Sequence, residues 1–260
     1  MSQSVPCYVD GHELLAGKTV LITAAAGTGI GFATARRCAE EGARVMLSDI
    51  HERRLAAAVD ELEKLSGVRP PSRLCDVSDE AAVQELIAAG IEELGQIDVL
   101  VNNAGLGGTA NVIDMTDKEW DAVIGITLTG TFRMTRAVLP HMIERKQGAI
   151  VNNASVLGWR AQVGQSHYAA AKAGVMALTR CSALEVAEHG VRINAVSPSL
   201  ASHKFLAKVM PQDVLDELTA REAFGRGAEP WEVANVIVFL ASDYASYMTG
   251  ESVAVSSQRA

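Results

Sequence analysis

Three side chains in the second half of the sequence have the types and spacing needed to move a proton. Tyr168 and Lys172 are four residues apart in a helical pattern, so a phenol and an ammonium group project from one helix face. The pKa of a free tyrosine is about 10, and a cation a few ångströms away lowers it toward neutral pH, as general acid–base catalysis requires. Ser155 follows an apolar strand pattern and can hydrogen-bond the same substrate oxygen. Taken alone, a Tyr–Lys pair at this spacing is usually a solvated surface pair.

A glycine-rich turn earlier in the chain favours a catalytic role for this pair over a surface role. Gly27, Gly29 and Gly31 lie between an apolar strand pattern and a helical pattern that begins at Ile30. Glycines at this junction allow a tight turn and let the backbone approach a pyrophosphate, while the helix N-terminus presents free N–H groups. The pattern therefore predicts a dinucleotide site, with an ordinary connecting loop as the alternative.

An acidic residue at the end of the second strand favours one dinucleotide. Asp49 lies 18 residues after Gly31, where its carboxylate can accept hydrogen bonds from the adenosine ribose and repel a 2′-phosphate. NAD is therefore expected in preference to NADP. Two alternatives stay open: Asp49 can cap a helix that begins at His51, and Arg53 or Arg54 can serve a 2′-phosphate.

The surrounding pattern alternates apolar strands with helices. Such alternation predicts parallel strands joined by right-handed crossovers, hence one doubly wound α/β domain of the Rossmann type with about seven strands. This domain is expected to span residues 17–260, after an N-terminal tail at 1–16. Strands are predicted at residues 18–23, 45–47, 73–75, 97–101, 149–153, 191–196 and 252–255, and helices at 30–41, 51–65, 79–94, 117–145 (which Pro140 should kink or end), 166–188 and 230–241.

Composition excludes several classes of function. The 260 residues include 31 acidic and 23 basic side chains, for a net charge of −8, which disfavours nucleic acid and anionic membranes as partners. Four scattered cysteines form no CxxC pair, which argues against a zinc site. No signal-peptide pattern or long apolar run is present, so we expect a cytoplasmic protein with a small-molecule substrate.

The motifs together resemble the short-chain dehydrogenase/reductase family from about residue 17 to residue 250. The resemblance rests on the glycine turn, on Ser155 thirteen residues before Tyr168, and on the Tyr-x-x-x-Lys pattern. It extends to Asp76-Val77, Asn102-Asn103-Ala104-Gly105, Asn194-Ala-Val-Ser-Pro198, and the late segment from Pro230 to Gly250.

The resemblance implies a role for each matching residue. Tyr168 would be the general acid or base, Lys172 would bind the nicotinamide ribose and depress the Tyr168 pKa, and Ser155 would orient the reacting oxygen. Thr127 aligns with an asparagine that helps to hold a proton-relay water, and is included in the catalytic set. The cofactor would also contact Gly27, Gly29, Ile30, Gly31, Asp49, Asp76, Val77, Asn103, Ala104, Gly105, Pro198, Ser199 and Ala201. Family members are usually homodimers or homotetramers.

Besides Thr127, two residues and one short segment depart from the family pattern. Ala25 stands where the first glycine of the turn is usual, Ser199 replaces a glycine after Pro198, and residues 255–258 replace a terminal Asp-Gly-Gly. These departures bear on the detailed cofactor contacts rather than on the fold.

The substrate face is expected on two segments. The first follows Ser155 and contributes Leu157, Trp159, Arg160 and Gln162, while the second is a lid over residues 200–226. Arg160 can hold a carboxylate or phosphate, or it can be a surface arginine in a salt bridge; Trp159 can equally be a packing residue.

The sequence predicts interconversion of a secondary alcohol and a ketone. Residues 152–162 and 166–172 resemble actinobacterial enzymes of sterol-ring breakdown, which act on ring-derived CoA thioesters. The alternatives are a 3-oxoacyl-thioester reductase that uses NADPH and a catalytically silent nucleotide-binding protein, which would be expected to lack Tyr168 or Lys172.

Overall fold

Parallel strands form one central sheet in the computed structural model, which describes residues 3–202 and 212–258. The strand order is β3-β2-β1-β4-β5-β6-β7, so the chain reverses its winding direction between β1 and β4. The strands are β1 (Thr19–Ile22), β2 (Arg44–Asp49), β3 (Ser72–Leu74), β4 (Val99–Asn102), β5 (Gly148–Asn153), β6 (Val191–Pro198) and β7 (Ser252–Val255). The prediction of a doubly wound α/β domain is confirmed.

Helices cover both faces of this sheet. Along β1 the side chains of Val20 and Ile22 join one apolar core, and that of Leu21 joins the other, as the two-residue period of a strand requires. The helices are α1 (Ile30–Glu40), α2 (Glu52–Ser66), α3 (Glu80–Leu94), α4 (Asp117–Ile124), α5 (Gly130–Arg145), α6 (Ser166–Val186), α7 (Gln212–Arg221) and α8 (Pro230–Ala241).

The region predicted as one helix over residues 117–145 contains a change of helix type. A π-helical turn, Gly125–Thr129, separates α4 from α5. Pro140 does not end the helix, because α5 continues to Arg145. The predicted helix over residues 117–145 is therefore present, but a π turn that the sequence did not predict separates its two α-helical parts; such a turn inserts one extra residue and is frequent at functional sites.

An N-terminal segment is bound to α1, the helix that follows the glycine turn. The side chains of Arg37 and Glu41 form a buried ion pair, with Nη2 and Oε1 2.6 Å apart. Glu41 also accepts hydrogen bonds from the backbone N–H groups of His12 and Leu14, and Arg37 donates to the Val9 carbonyl. Residues 9–14 thereby hold this side of α1.

Candidate active site

The carboxyl edge of the sheet brings together the three residues predicted to move a proton. Ser155 lies just beyond β5, while Tyr168 and Lys172 lie in the first two turns of α6. A hydrogen bond joins the Ser155 and Tyr168 hydroxyl groups. The Ser155 Oγ also accepts a bond of 3.2 Å from the Leu157 N–H, which orients the hydroxyl.

The Lys172 ammonium is buried beside the Tyr168 ring. Lys172 is only 3% exposed, and its Nζ donates a hydrogen bond to the Asn153 carbonyl oxygen. Nζ lies 5.5 Å from the centroid of the Tyr168 ring. No carboxylate lies within salt-bridge distance of Nζ among residues 3–202 and 212–258. Because burial disfavours the charged form, the pKa of Lys172 falls to about 8.

The pKa of Tyr168 shifts in the direction opposite to the sequence prediction. Burial raises the pKa of the phenol, and the hydrogen bond from Ser155 opposes that shift without reversing it. Lys172 does not lower the pKa as expected, since its ammonium lies beside the ring and is bonded to the Asn153 carbonyl. In the protein without bound ligands, Tyr168 therefore holds its proton at neutral pH.

Thr127 is at the site, but its hydroxyl is bonded to the backbone. The residue is 0% exposed and lies in the π-helical turn. Its Oγ1 accepts a bond of 2.9 Å from the Leu106 N–H and donates one of 3.1 Å to the Leu106 carbonyl. A hydroxyl has only one proton to donate, so these contacts support fixation of the loop after β4 rather than a water relay.

The glycine turn forms an open cradle at the N-terminus of α1. A Cβ added at Gly27 or Gly29 would meet no atom within 4 Å, and Gly27 has a φ of 93°. At Gly31, by contrast, a Cβ would collide with the Ala24 carbonyl oxygen and the Asn103 amide. Gly29 caps α1 without a side-chain hydrogen bond, so the first N–H groups of the helix remain available to an anion.

The Asp49 carboxylate ties β2 to the glycine turn. Its Oδ2 accepts a bond of 3.2 Å from the Ala26 N–H, and its Oδ1 accepts one of 2.9 Å from the His51 N–H. Burial raises the pKa of Asp49, while the backbone hydrogen bond from Ala26 and the charge of Arg54 oppose the increase. His51 is the N-cap of α2, so the alternative in which Asp49 caps that helix is wrong.

A chain of hydrogen bonds connects Lys172 to the glycine turn. Lys172 donates to the Asn153 backbone carbonyl, and the Asn153 amide donates to the Asn103 Oδ1 over 2.8 Å. The Asn103 amide in turn donates to the Ala24 carbonyl over 3.0 Å. Thr23 supports this connection, because its Oγ1 accepts bonds of 3.0 Å from the N–H groups of Asn103 and Ala104.

Asn153 is a candidate site residue that the sequence prediction did not include. Its Oδ1 is buried without a hydrogen-bond partner among the described residues, and an orphaned polar atom of this kind is consistent with a binding site. A signal was present, because Asn-Asn-Ala occurs at residues 102–104 and again at 152–154, and Asn102 pairs with Asn152 in the sheet.

The remaining residues predicted to contact a cofactor are placed along the same edge. Asp76 accepts bonds from the Ser78 N–H and hydroxyl, and Val77 packs against Gly130. Pro198 ends β6, and the following N–H, of Ser199, donates to the Val255 carbonyl. Ile30 begins α1, Gly105 lies between Lys172 and Thr127, and Ala201 pairs with Ala228 in an isolated bridge.

The structure describes one of the two predicted substrate segments in full and the other in part. Leu157 and Gln162 are half-buried, and Trp159 is exposed, on the segment that follows Ser155. Arg160 donates to Gln258 near the C-terminus and forms no salt bridge within the described ranges, so the alternative of a salt-bridged surface arginine does not hold there. Residues 203–211 of the predicted lid lie outside the described residues.

Neither a metal-binding cluster nor a membrane-spanning helix is present among residues 3–202 and 212–258. No described group of three or more His, Cys, Asp or Glu side chains could hold a metal ion. None of the helices described is long and apolar enough to cross a bilayer.

Comparisons with known proteins cover nearly the whole chain. A family model described as enoyl-(acyl carrier protein) reductase matches residues 24–257. A Mycobacterium tuberculosis protein named (5R,7aS)-5-hydroxy-7a-methyl-1-oxo-2,3,5,6,7,7a-hexahydro-1H-indene-carboxyl-CoA reductase is 61% identical over 254 residues, or 97% of each chain. The 3-oxoacyl-(acyl-carrier-protein) reductase FabG of Thermotoga maritima is 42% identical over 93% of this chain and 97% of that protein.

Solved structures of similar proteins have the same fold as this chain. A short chain dehydrogenase from Mycobacterium smegmatis superposes with a TM-score of 0.88 at 59% identity, covering 99% of both chains. The actinorhodin polyketide ketoreductase, solved with NADPH, has a TM-score of 0.88 at 35% identity, covering 92% of this chain and 96% of that one.

The buried Lys172 leads to a prediction about stability. Its pKa of about 8 lies below the value of about 10.4 for an unfolded lysine. The unfolded chain therefore binds the proton more tightly, so burial costs stability below about pH 8 and the cost is relieved as the pH rises toward 10.4. Lys172→Met should raise the free energy of unfolding at about pH 7 by on the order of 1–3 kcal/mol, with the gain lost near pH 10.

Urea unfolding at the two pH values measures this difference. Lys64→Met, at an exposed position on α2, is the matched control and should show no pH-dependent gain. An equal effect of Lys172→Met at both pH values would contradict the assignment of a depressed pKa.

Proposed function

This chain belongs to the short-chain dehydrogenase/reductase family, and from that premise we propose an NAD(H)-dependent oxidoreductase that interconverts a ketone and a secondary alcohol on a ring-derived coenzyme A thioester. Homologous reductases and dehydrogenases make it an oxidoreductase of CH–OH groups. The observation that carries the proposal is the contact of Tyr168 with both Ser155 and the buried Lys172.

The residues at the sheet edge fit a nicotinamide dinucleotide. The open cradle at Gly27 and Gly29, with the uncapped start of α1, suits a pyrophosphate. The buried Asp49 carboxylate suits the hydroxyls of the adenosine ribose. At the end of the cleft near Tyr168, Lys172 offers a donor to the nicotinamide ribose, and the Asn153 Oδ1, which has no partner among the described residues, offers an acceptor.

The side chains of this protein supply the proton chemistry. When bound, the nicotinamide group donates or accepts the hydride. In ketone reduction the Tyr168 hydroxyl transfers its proton to the substrate oxygen, which Ser155 holds by a hydrogen bond. The raised pKa of Tyr168 favours this direction, because the phenol keeps its proton at neutral pH. In alcohol oxidation the phenolate accepts the proton, and the hydrogen bond from Ser155, which lowers the phenol pKa, favours that charged form.

An apolar rim supports a ring-derived acyl group as the substrate. Ile113 is 92% exposed and Val163 is 86% exposed, on the loops that follow β4 and β5. A bond of 3.0 Å from the Ala110 N–H to the Gly164 carbonyl joins these loops. Exposed apolar side chains on these two joined loops favour an apolar ligand. The coenzyme A thioester is proposed from the name of the Mycobacterium tuberculosis relative.

A second candidate is a 3-oxoacyl-thioester reductase that uses NADPH. The charge of Arg54 acts on the Asp49 carboxylate, so a cation is near the place where a 2′-phosphate would lie. The similarity to FabG and to a ketoreductase solved with NADPH also supports this alternative.

Replacement of the phenol tests the proposed reaction. Tyr168→Phe should lower turnover of ketone and hydroxyacyl-CoA substrates by about 10²–10⁴-fold, because it removes only the acid–base hydroxyl. Binding of NADH, followed by its fluorescence, should persist. Tyr244→Phe, at an exposed position, is the matched control. Turnover by Tyr168→Phe within a few-fold of wild type would refute the proton-transfer role.

Cofactor choice is tested at Asp49. The wild-type protein should have a higher kcat/KM with NAD(H) than with NADP(H), and Asp49→Asn should reduce that ratio by about tenfold, since like-charge repulsion of a 2′-phosphate is lost. Asp60→Asn removes an exposed carboxylate from α2 as the control. An unchanged ratio in Asp49→Asn, or a wild-type preference for NADPH, would favour the second candidate.

A further inference from the structure

The C-terminal residues join the two segments that flank the substrate side of the site. Beyond β7, the Ser257 carbonyl accepts a bond of 2.6 Å from the Ala223 N–H, just after α7. Gln258 pairs with Glu222 in an isolated antiparallel bridge. Gln258 also accepts a hydrogen bond from Arg160, which lies 98 residues earlier on the segment that follows Ser155. Residues 256–258 therefore connect the end of α7 to the segment after Ser155.

A buried carboxylate fixes the position of this C-terminal segment. Glu222 is 3% exposed, and its Oε2 accepts bonds of 3.1 Å from Ser199 Oγ and 2.9 Å from Ser257 Oγ. Its Oε1 faces the Leu200 N–H at 3.4 Å. These uncharged donors hold the Glu222 carboxylate, and none of its hydrogen bonds among the described residues comes from a cation.

No carboxylate is paired with Arg160 among the described residues. A guanidinium has five N–H donors, and within the described residues only Nη1 of Arg160 has a partner, the neutral Gln258 amide oxygen. The backbone of Arg160 is fixed, because its N–H donates 2.9 Å to the Val156 carbonyl in the turn that begins at Ser155. A half-buried arginine with unused donors is suited to an anionic oxygen group.

We propose that Arg160, held by Gln258, is a specificity-determining residue that binds an anionic oxygen group of the substrate. This inference rests on the proposed function for the substrate class. The anion is either a phosphate of coenzyme A or a carboxylate on the acyl group, since both offer the oxygen pair that a guanidinium recognises. Gln258 orients the guanidinium without neutralising it, so the cation remains available when substrate enters.

Two substitutions test this arrangement from opposite sides. Arg160→Gln removes the cation, whereas Gln258→Glu introduces a carboxylate at the existing contact and neutralises Arg160 in place. Each should raise KM at least about tenfold for a thioester that carries the anion, the loss expected for one charge-assisted hydrogen bond, with kcat changed less than about threefold. Arg180→Gln, which removes an exposed charge from α6, is the matched control.

The substrates distinguish the two sources of the anion. A coenzyme A thioester of a neutral acyl group carries only the phosphates, an N-acetylcysteamine thioester of a carboxylated acyl group carries only the carboxylate, and an N-acetylcysteamine thioester of a neutral acyl group carries neither. KM should rise in both variants for the first or the second substrate, and for the third it should stay within about twofold of wild type.

The KM values of the two variants decide whether Arg160 binds an anion. Unchanged KM for both anionic substrates would overturn the inference, as would an equal rise for the neutral thioester, which would indicate a structural role. If the wild-type protein turns over no thioester, the proposed function fails instead. Calorimetric titration with free coenzyme A and with sodium succinate then tests Arg160 directly. If the wild-type protein binds either compound and Arg160→Gln binds it more weakly, the inference is supported. If the wild-type protein binds neither compound, or if both proteins bind equally well, the inference is overturned.

Discussion

The buried ammonium of Lys172 is the constraint around which the site is arranged. No carboxylate compensates it in the described part of the chain, so its charge depends on the Asn153 carbonyl and on the Tyr168 ring. Burial of a charged group without an ionic partner costs free energy, and the pKa of Lys172 is lowered for that reason. A pair with only a structural role gains no stability from a buried ammonium of this kind, so the arrangement favours a functional role for Lys172.

The position of Lys172 depends on contacts that reach the far end of the cleft. Its carbonyl partner, Asn153, ends β5 and uses its amide to hold Asn103 after β4. Asn103 then fixes the Ala24 carbonyl in the turn before α1. The residues proposed to transfer the proton and those proposed to hold the dinucleotide therefore share one set of hydrogen bonds, so a displacement at one end is expected to affect the other.

Much of this architecture could be predicted from local patterns, because burial on both sheet faces requires apolar strands and the crossovers require amphipathic helices. The helix at 230–241 and the strand at 252–255 are predicted with the bounds observed. What could not be predicted depends on distant contacts or on burial. The raised pKa of Tyr168, the bonding of Thr127 to Leu106 and the contact of Arg160 with Gln258 all depend on how remote segments pack.

Titration of the Lys172 side chain shows whether burial disfavours its charged form in the folded protein. In protein with isotope-labelled lysine, the ε-methylene resonance of Lys172 can be assigned by its absence in Lys172→Met and followed by NMR as the pH is raised. We expect a midpoint at about pH 8, since the ammonium is buried without a carboxylate among the described residues. A midpoint at or above about 10.4, the value for a solvated lysine, would contradict it.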